Sequence, residues 1–141
     1  MKLVIDASVA LKWFFHERPG ETNADAARDI LQGYVSGRHD LLQPVHFCAE
    51  VCAVLAREAA PQMRENLRDL LELAIPTRDD ALVMWRAMQI SDQLKHHVFD
   101  TLYHAVALES ADTVLVSADE VYCRKAAGFG RVLALSAWSV Q

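Results

Sequence analysis

What this chain of 141 residues lacks narrows its class before any motif is weighed. No apolar stretch approaches the roughly 20 residues that a membrane-spanning helix requires. The run Leu3-Val4-Ile5 is cut at once by Asp6, too early for the apolar segment of a secretory leader. A soluble, cytoplasmic protein with no membrane association is the expectation. Cysteine is scarce: Cys48, Cys52 and Cys123 show no paired C-x-x-C spacing, which argues against a disulfide framework and a structural zinc site. They read as small buried hydrophobes. Positive charge is also in deficit, with 14 Lys and Arg against 19 Asp and Glu and a net charge of -5. Such a chain does not capture nucleic acid by broad electrostatics. A phosphate-bearing substrate would have to be held locally, by bound cations or by a few basic side chains. There is no internal repeat and no low-complexity tract. With 52% hydrophobic residues, residues 1–141 suffice for one core, and a single domain is expected.

What is present is an alternation of strand-like and helix-like segments. Met1 to Ala7 reads as a short buried strand, β-branched at Val4 and Ile5. Ser8 to Phe15 reads as a turn or two of helix, His16 to Asn23 as a loop punctuated by Pro19-Gly20, and Ala24 to Val35 as a helix stopped at Gly37. Leu41-Leu42-Gln43 predicts a second buried strand, with Pro44 in the first turn of the next helix. On that helix Phe47, Val51, Val54 and Leu55 share a face, and Glu50 falls at its border beside His46 and Arg57. Pro61 to Ala74 predicts another amphipathic helix. Thr77 with Asp80 resembles a capping box for a helix whose apolar residues include Leu82, Trp85 and Met88. A helix is expected over 100–110, a strand over 113–117, a short helix from Asp119 to Ala127 closed by Gly128, and a last strand over 131–135. Alternation of this kind implies an α/β fold, a parallel sheet of three to five strands covered on both faces.

Four acids stand out against that frame. Asp6 ends the first apolar run, Asp119 follows the run Val114-Leu115-Val116, Asp100 opens the helix that includes Leu102 to Leu108, and Glu50 lies on the helix after Pro44. Singly each has an ordinary explanation: Asp100 and Asp119 suit helix N-termini, Ser117 with Glu120 makes a capping box, Glu50 suits a solvated face and Asp6 a strand end. Jointly they point elsewhere, because parallel α/β sheets bind ligands beyond the carboxyl ends of their strands. Like charges about 4 Å apart repel by roughly 4 kcal/mol at an effective dielectric of about 20. A convergent cluster therefore either holds protons or binds a divalent cation. An all-oxygen set suits Mg²⁺ or Mn²⁺ better than zinc, and such an ion supports hydrolysis of a phosphodiester by an activated water.

The runs Ile5-Asp6-Ala7-Ser8-Val9-Ala10-Leu11-Lys12-Trp13, Glu50-Val51, Phe99-Asp100-Thr101-Leu102-Tyr103-His104-Ala105 and Val116-Ser117-Ala118-Asp119-Glu120 resemble the PIN-domain ribonucleases, and within them the VapC-type toxins of toxin–antitoxin pairs. The resemblance implies a three-layer α/β/α sandwich with a central parallel sheet. It also implies a Mg²⁺- or Mn²⁺-dependent endoribonuclease whose acids correspond to Asp6, Glu50, Asp100 and Asp119, with Ser8 and Ser117 orienting those carboxylates. A homodimer, inhibited by a small antitoxin that inserts a segment into the active-site groove, is implied as well. Phe99 stands where Tyr is more usual, and Thr101 where a small residue is.

Among the cations, Lys12, Arg124 and Lys125 follow Asp6 and Asp119 by one to two helical turns and are candidates to hold RNA phosphates, Lys12 first; solvated helix faces are the alternative. His96 and His97 are candidates to touch substrate or metal, with a solvated connection as the ordinary reading, and His46 and His104 read as helix-surface or partly buried residues. No positioned pair of histidines marks an acid–base ribonuclease. Met84, Trp85 and Met88 are read mainly as core, with a share available for a dimer or antitoxin contact. Two rival functions remain at this level. A phospho-acceptor receiver domain would want adjacent acids after the first strand and a late Lys after a strand, where this chain has Asp6 alone and Lys125 in a helix. A catalytically silent RNA- or protein-binding module would have no need of intact acids.

Overall fold

The computed structural model describes residues 1–140. Strand β1 (Lys2–Ile5) lies at the centre, with Leu3, Val4 and Ile5 almost inaccessible to solvent. Successive strand residues point to opposite faces, so burial of all three means that both faces of the sheet are covered. Helices α1 (Ala7–Phe15), α2 (Ala24–Val35), α3 (Phe47–Glu58), α4 (Met63–Glu72), α5 (Ala81–Leu94), α6 (Val98–Leu108) and α7 (Glu120–Lys125) supply that cover. The remaining strands are β2 (Asp40–Leu41), β3 (Gln43–Pro44), β4 (Thr77–Arg78), β5 (Thr113–Ser117) and β6 (Val132–Ala134). The main sheet runs β2-β1-β5-β6 and every pairing in it is parallel. The α/β sandwich with a central parallel sheet expected from the sequence is the architecture observed.

Strand order fixes where a ligand belongs. From β1 the chain crosses to β2 on one side, and later returns to β5 on the other. The connections leaving the carboxyl ends of β1 and β5 therefore diverge, which opens a crevice at the topological switch point. Ile5 pairs with Val116, and the Asp6 amide donates to the Val116 carbonyl at 3.0 Å. Asp6 and the Ser117–Asp119 turn thus arrive side by side at that crevice.

Helix α6 passes through the centre of the domain. Its residues from Thr101 to Ala107 are all buried, and it packs on α5, β1, β3 and β5. Thr101, larger than the residue usual at its position in the resembling family, places its hydroxyl on the Ala87 carbonyl at 2.8 Å and so ties α6 to α5. His104, expected on the helix surface or partly buried, is fully buried. Its Nε2–H donates to the Gly130 carbonyl at 2.8 Å and its Nδ1 accepts from the Tyr122 hydroxyl at 3.0 Å.

Three expectations need correction. Leu41-Leu42-Gln43 is not one strand: the chain leaves β1 after the Leu42 amide has donated to the Leu3 carbonyl at 3.0 Å, and Gln43–Pro44 pairs with Thr77–Arg78 in a separate two-stranded sheet. Pro44 is therefore a strand residue, and α3 starts three residues later. Beside Ile5 the missing strand is replaced by one side chain, because the buried Gln43 amide accepts from the Ile5 N–H at 2.9 Å and donates to the Ile5 carbonyl at 2.7 Å. Secondly, Thr77 and Asp80 form no capping box. Asp80 itself caps α5 by accepting from the Val83 amide at 3.1 Å. Thirdly, α5 buries Val83, Ala87 and Ile90, while Leu82, Trp85 and Met88 stand more than half exposed. The run Ala81-Leu82-Val83-Met84-Trp85 is apolar all round, so its periodicity does not select the core-facing side.

Two outcomes follow from these contacts. Gln43→Leu leaves the Ile5 amide and carbonyl buried without partners, and should lower the unfolding free energy by about 2 to 5 kcal/mol in urea titrations. Burial holds the His104 pKa below its ordinary 6.5, against the opposing Gly130 bond. The unfolded chain then binds the extra proton first, so stability should be fully present above pH 6.5 and decline as pH falls below it. His104→Asn should flatten that part of a melting-temperature profile.

Candidate active site

Each of the four acids is delivered by a different stretch of the fold. Asp6 is the residue that leaves β1 and caps α1, with extended backbone angles and its Oδ2 accepting from the Ser8 amide at 3.2 Å. Asp119 leaves β5 and caps α7 by accepting from the Tyr122 amide at 2.9 Å. Asp100 stands in the first turn of α6, and Glu50 in the first turn of α3. Asp6, Asp100 and Asp119 line one small cavity with Leu115, Ser117 and Tyr122. Its volume is about 20 Å³, room for about one water-sized particle. Glu50 is outside that lining, but its charge and that of Asp100 both act on Asp6.

The electrostatics separate the carboxyls. Burial drives the Asp6 pKa up, hydrogen bonds from the Ser8 hydroxyl and amide pull it down, and the charges of Asp100 and Glu50 raise it again; the net displacement is upward. Burial also pushes Glu50 up, but hydrogen bonds from His46 and Tyr103 outweigh it, and the net displacement is downward. The Tyr103 hydroxyl donates to Glu50 Oε1 at 3.0 Å, and His46 Nε2 lies 2.8 Å from the same oxygen. His46 Nε2 also faces the Phe99 carbonyl at 2.7 Å. Both neighbours are acceptors, so Nε2 bears the hydrogen. Nδ1 of the same ring is buried without a hydrogen-bond partner. Tyr103 stays protonated, since burial and the Glu50 and Asp6 charges raise its pKa.

Several side chains behave otherwise than the sequence implied. Ser8 does reach the Asp6 carboxylate, and its oxygen also accepts from the Ala118 amide at 3.3 Å, bridging the starts of the two turns. Ser117 does not reach a carboxylate: its hydroxyl accepts from the Asp119 amide at 3.0 Å. The Ser117–Glu120 capping box is replaced by Asp119 itself. Lys12, ranked first for phosphate, is largely buried and paired with Glu21 at 3.0 Å, so its charge is already matched. Arg124 is exposed, 3.9 Å from Glu120. His96 is not a free connection residue. Its Nε2 lies 2.8 Å from Asp100 Oδ2 and its Nδ1 3.3 Å from Lys125 Nζ. An ammonium can only donate, so Nδ1 is the acceptor and Nε2–H points at Asp100. His46, Tyr103 and His96, none of them assigned to an acid from the sequence, are thus the groups that orient two of the acids. The four-residue spacings His46/Glu50 and His96/Asp100 are the signal that could have revealed two of them.

The donor set fits a hydrated divalent ion. It consists of carboxylate oxygens, and the Nε2 atoms of His46 and His96 at its edge are engaged by Glu50 and Asp100 themselves. Among the described residues no three His, Cys, Asp or Glu side chains stand at closed ligand spacing. An ion such as Mg²⁺ takes only one or two carboxylates directly, and Asp6, Asp100 and Asp119 offer them around a space of about one water-sized particle. Burial is the main cause that raises the Asp6 pKa, and the charges of Asp100 and Glu50 add to it; a cation among these carboxyls would oppose that added repulsion. The three cysteines take no part in this cavity; Cys48 and Cys52 are half-buried on α3, with sulfurs 3.9 Å apart, and Cys123 is buried.

Residues 3–128 match the family described as PIN domain. No curated protein matches the chain. The family match leaves the receiver-domain alternative without support, and no described helix is long and apolar enough to cross a membrane.

The opposed forces on Glu50 give a direct check. Removing both donors with His46→Ala and Tyr103→Phe leaves burial alone, so the Glu50 pKa should move from below its ordinary 4.5 to above it. Carboxyl-carbon NMR titration reads that reversal.

Proposed function

The chain belongs to the PIN-domain family, and from that premise we propose that it is a Mg²⁺- or Mn²⁺-dependent endoribonuclease, the toxin of a toxin–antitoxin pair. PIN domains are generally nuclease folds that use divalent metals. The observation that carries the finer reading is the meeting of Asp6, Asp100 and Asp119 in one cavity at the sheet's switch point.

Asp6, Glu50, Asp100 and Asp119 are the residues that would hold the ion. When bound, it supplies an activated water as nucleophile and neutralises charge developing on the phosphate oxygens. The chain's own groups do the positioning. Ser8 fixes one oxygen of Asp6, Tyr103 and His46 keep Glu50 ionised, His96 turns Asp100, and the α7 amide of Tyr122 holds Asp119. Lys125, reaching His96 at the rim, takes the place of Lys12 as first candidate for an RNA phosphate, with Arg124 beside it. On a chain of net charge -5, such local cations carry the attraction that the whole surface does not. For the antitoxin and for a homodimer, the supporting feature is the exposed stripe Leu82, Trp85 and Met88 on α5.

Purified chain freed of any inhibitor should cleave RNA with Mg²⁺ or Mn²⁺, and should fall to background with a chelator or with Asp6→Asn or Asp100→Asn. Ser8→Ala should cost about 10- to 100-fold in metal affinity or activity. Equal turnover by the Asp variants would remove the mechanism.

A further inference from the structure

Phe99 precedes a site carboxylate in the chain, and yet it is 56% exposed. An apolar ring in that position needs a reason, because its neighbours on α6, from Thr101 to Ala107, are all buried. Its surroundings are rings rather than aliphatic side chains. His46 lies with its centroid 5.6 Å away and tilted by 38°, and His97 lies 6.4 Å away and nearly parallel, at 18°. His46 also packs on Tyr103, at 4.8 Å, while holding Glu50. A row of rings, Tyr103, His46, Phe99, His97, therefore leads outward from Glu50 and ends on exposed residues. The Phe99 carbonyl, held by His46 Nε2, fixes the backbone beneath the ring. Beyond His97 the surface opens into a shallow cleft that also involves Lys95, His96 and Met88, and Lys125 stands against His96.

Resting on the nuclease reading, we propose that Phe99 is a stacking platform for an unpaired base of a single-stranded RNA, at the nucleotide next to the one whose phosphate is cut. Every base has a π-face, and aromatic side chains collect unstacked bases in single strands but find none free in a duplex. His97 already lies nearly parallel to the Phe99 ring, so the ring belongs to an aromatic stack that a base can extend. Lys125 against His96 offers an ammonium to the phosphates joined to that base better than to an aliphatic partner side chain; Lys95 in the adjoining cleft is paired with Asp92. The platform selects for strandedness, a property that neither the acids nor a bound ion can read.

The test compares KM for a short single-stranded RNA in the parent chain, Phe99→Leu and Phe99→Trp, with Mn²⁺ affinity of each measured by calorimetry. Loss of the ring in Phe99→Leu should raise KM by about 5- to 150-fold. Phe99→Trp should restore it, and Mn²⁺ affinity should be the same in all three. In an Asp6→Asn background that prevents cleavage, an oligomer carrying 2-aminopurine should lose fluorescence on binding when Phe99 is present and keep it when Phe99→Leu is added. An unchanged KM in Phe99→Leu, while the parent chain cleaves RNA, overturns the platform and leaves the nuclease standing. If Phe99→Leu keeps its KM but loses self-association or a co-purifying inhibitor, the ring belongs to a protein interface and the platform is likewise overturned. A parent chain that cleaves no RNA removes both readings together.

Discussion

Repulsion among carboxylates gathered at the end of a buried strand is the constraint that the rest of this structure answers. Each of the four acids has its own donor: a serine hydroxyl for Asp6, a tyrosine hydroxyl and an imidazole for Glu50, a second imidazole for Asp100, and a helix amide for Asp119. Donors to an ionised group are among the stronger hydrogen bonds. Here they offset burial completely at Glu50 and only partly at Asp6. The result is that two of the acids differ in character, Asp6 displaced upward and Glu50 downward, although both belong to one end of the sheet.

The scaffold was legible where burial is two-sided and the chain regular. Leu3-Val4-Ile5 and Val114-Leu115-Val116 are short apolar runs ended by polar residues, and both are central parallel strands. Because Asp6 and Asp119 sit one to three residues beyond those runs, their arrival at one edge followed from strand direction alone. Legibility ended where one side chain replaces a backbone element. Nothing in the composition of Leu41-Leu42-Gln43 distinguishes a three-residue strand from a strand that stops and hands its hydrogen bonds to Gln43. The phase of α5 was lost for a different reason, since an apolar run on all sides has no preferred face.

The cations illustrate a third limit. Sequence distance from an acid placed Lys12 and Lys125 within reach of the same edge, but a side chain's partner depends on which helix face it occupies. Lys12 turns to Glu21, while Lys125 turns toward the site through His96. The same holds for His96 itself: it precedes α6 in a connection, and only the fold of that connection brings its ring over Tyr122, at 4.8 Å, and its Nε2 onto Asp100.

The Gln43 amide has a mechanical consequence. Residue 43 grips the last residue before Asp6, and only three residues separate Gln43 from the start of the helix that bears Glu50. One side chain thus couples the end of β1 to the segment that leads into α3, and the spacing between those two segments is gauged by the length of a glutamine. A shorter amide at that position would draw the two carboxylates out of step without touching either one.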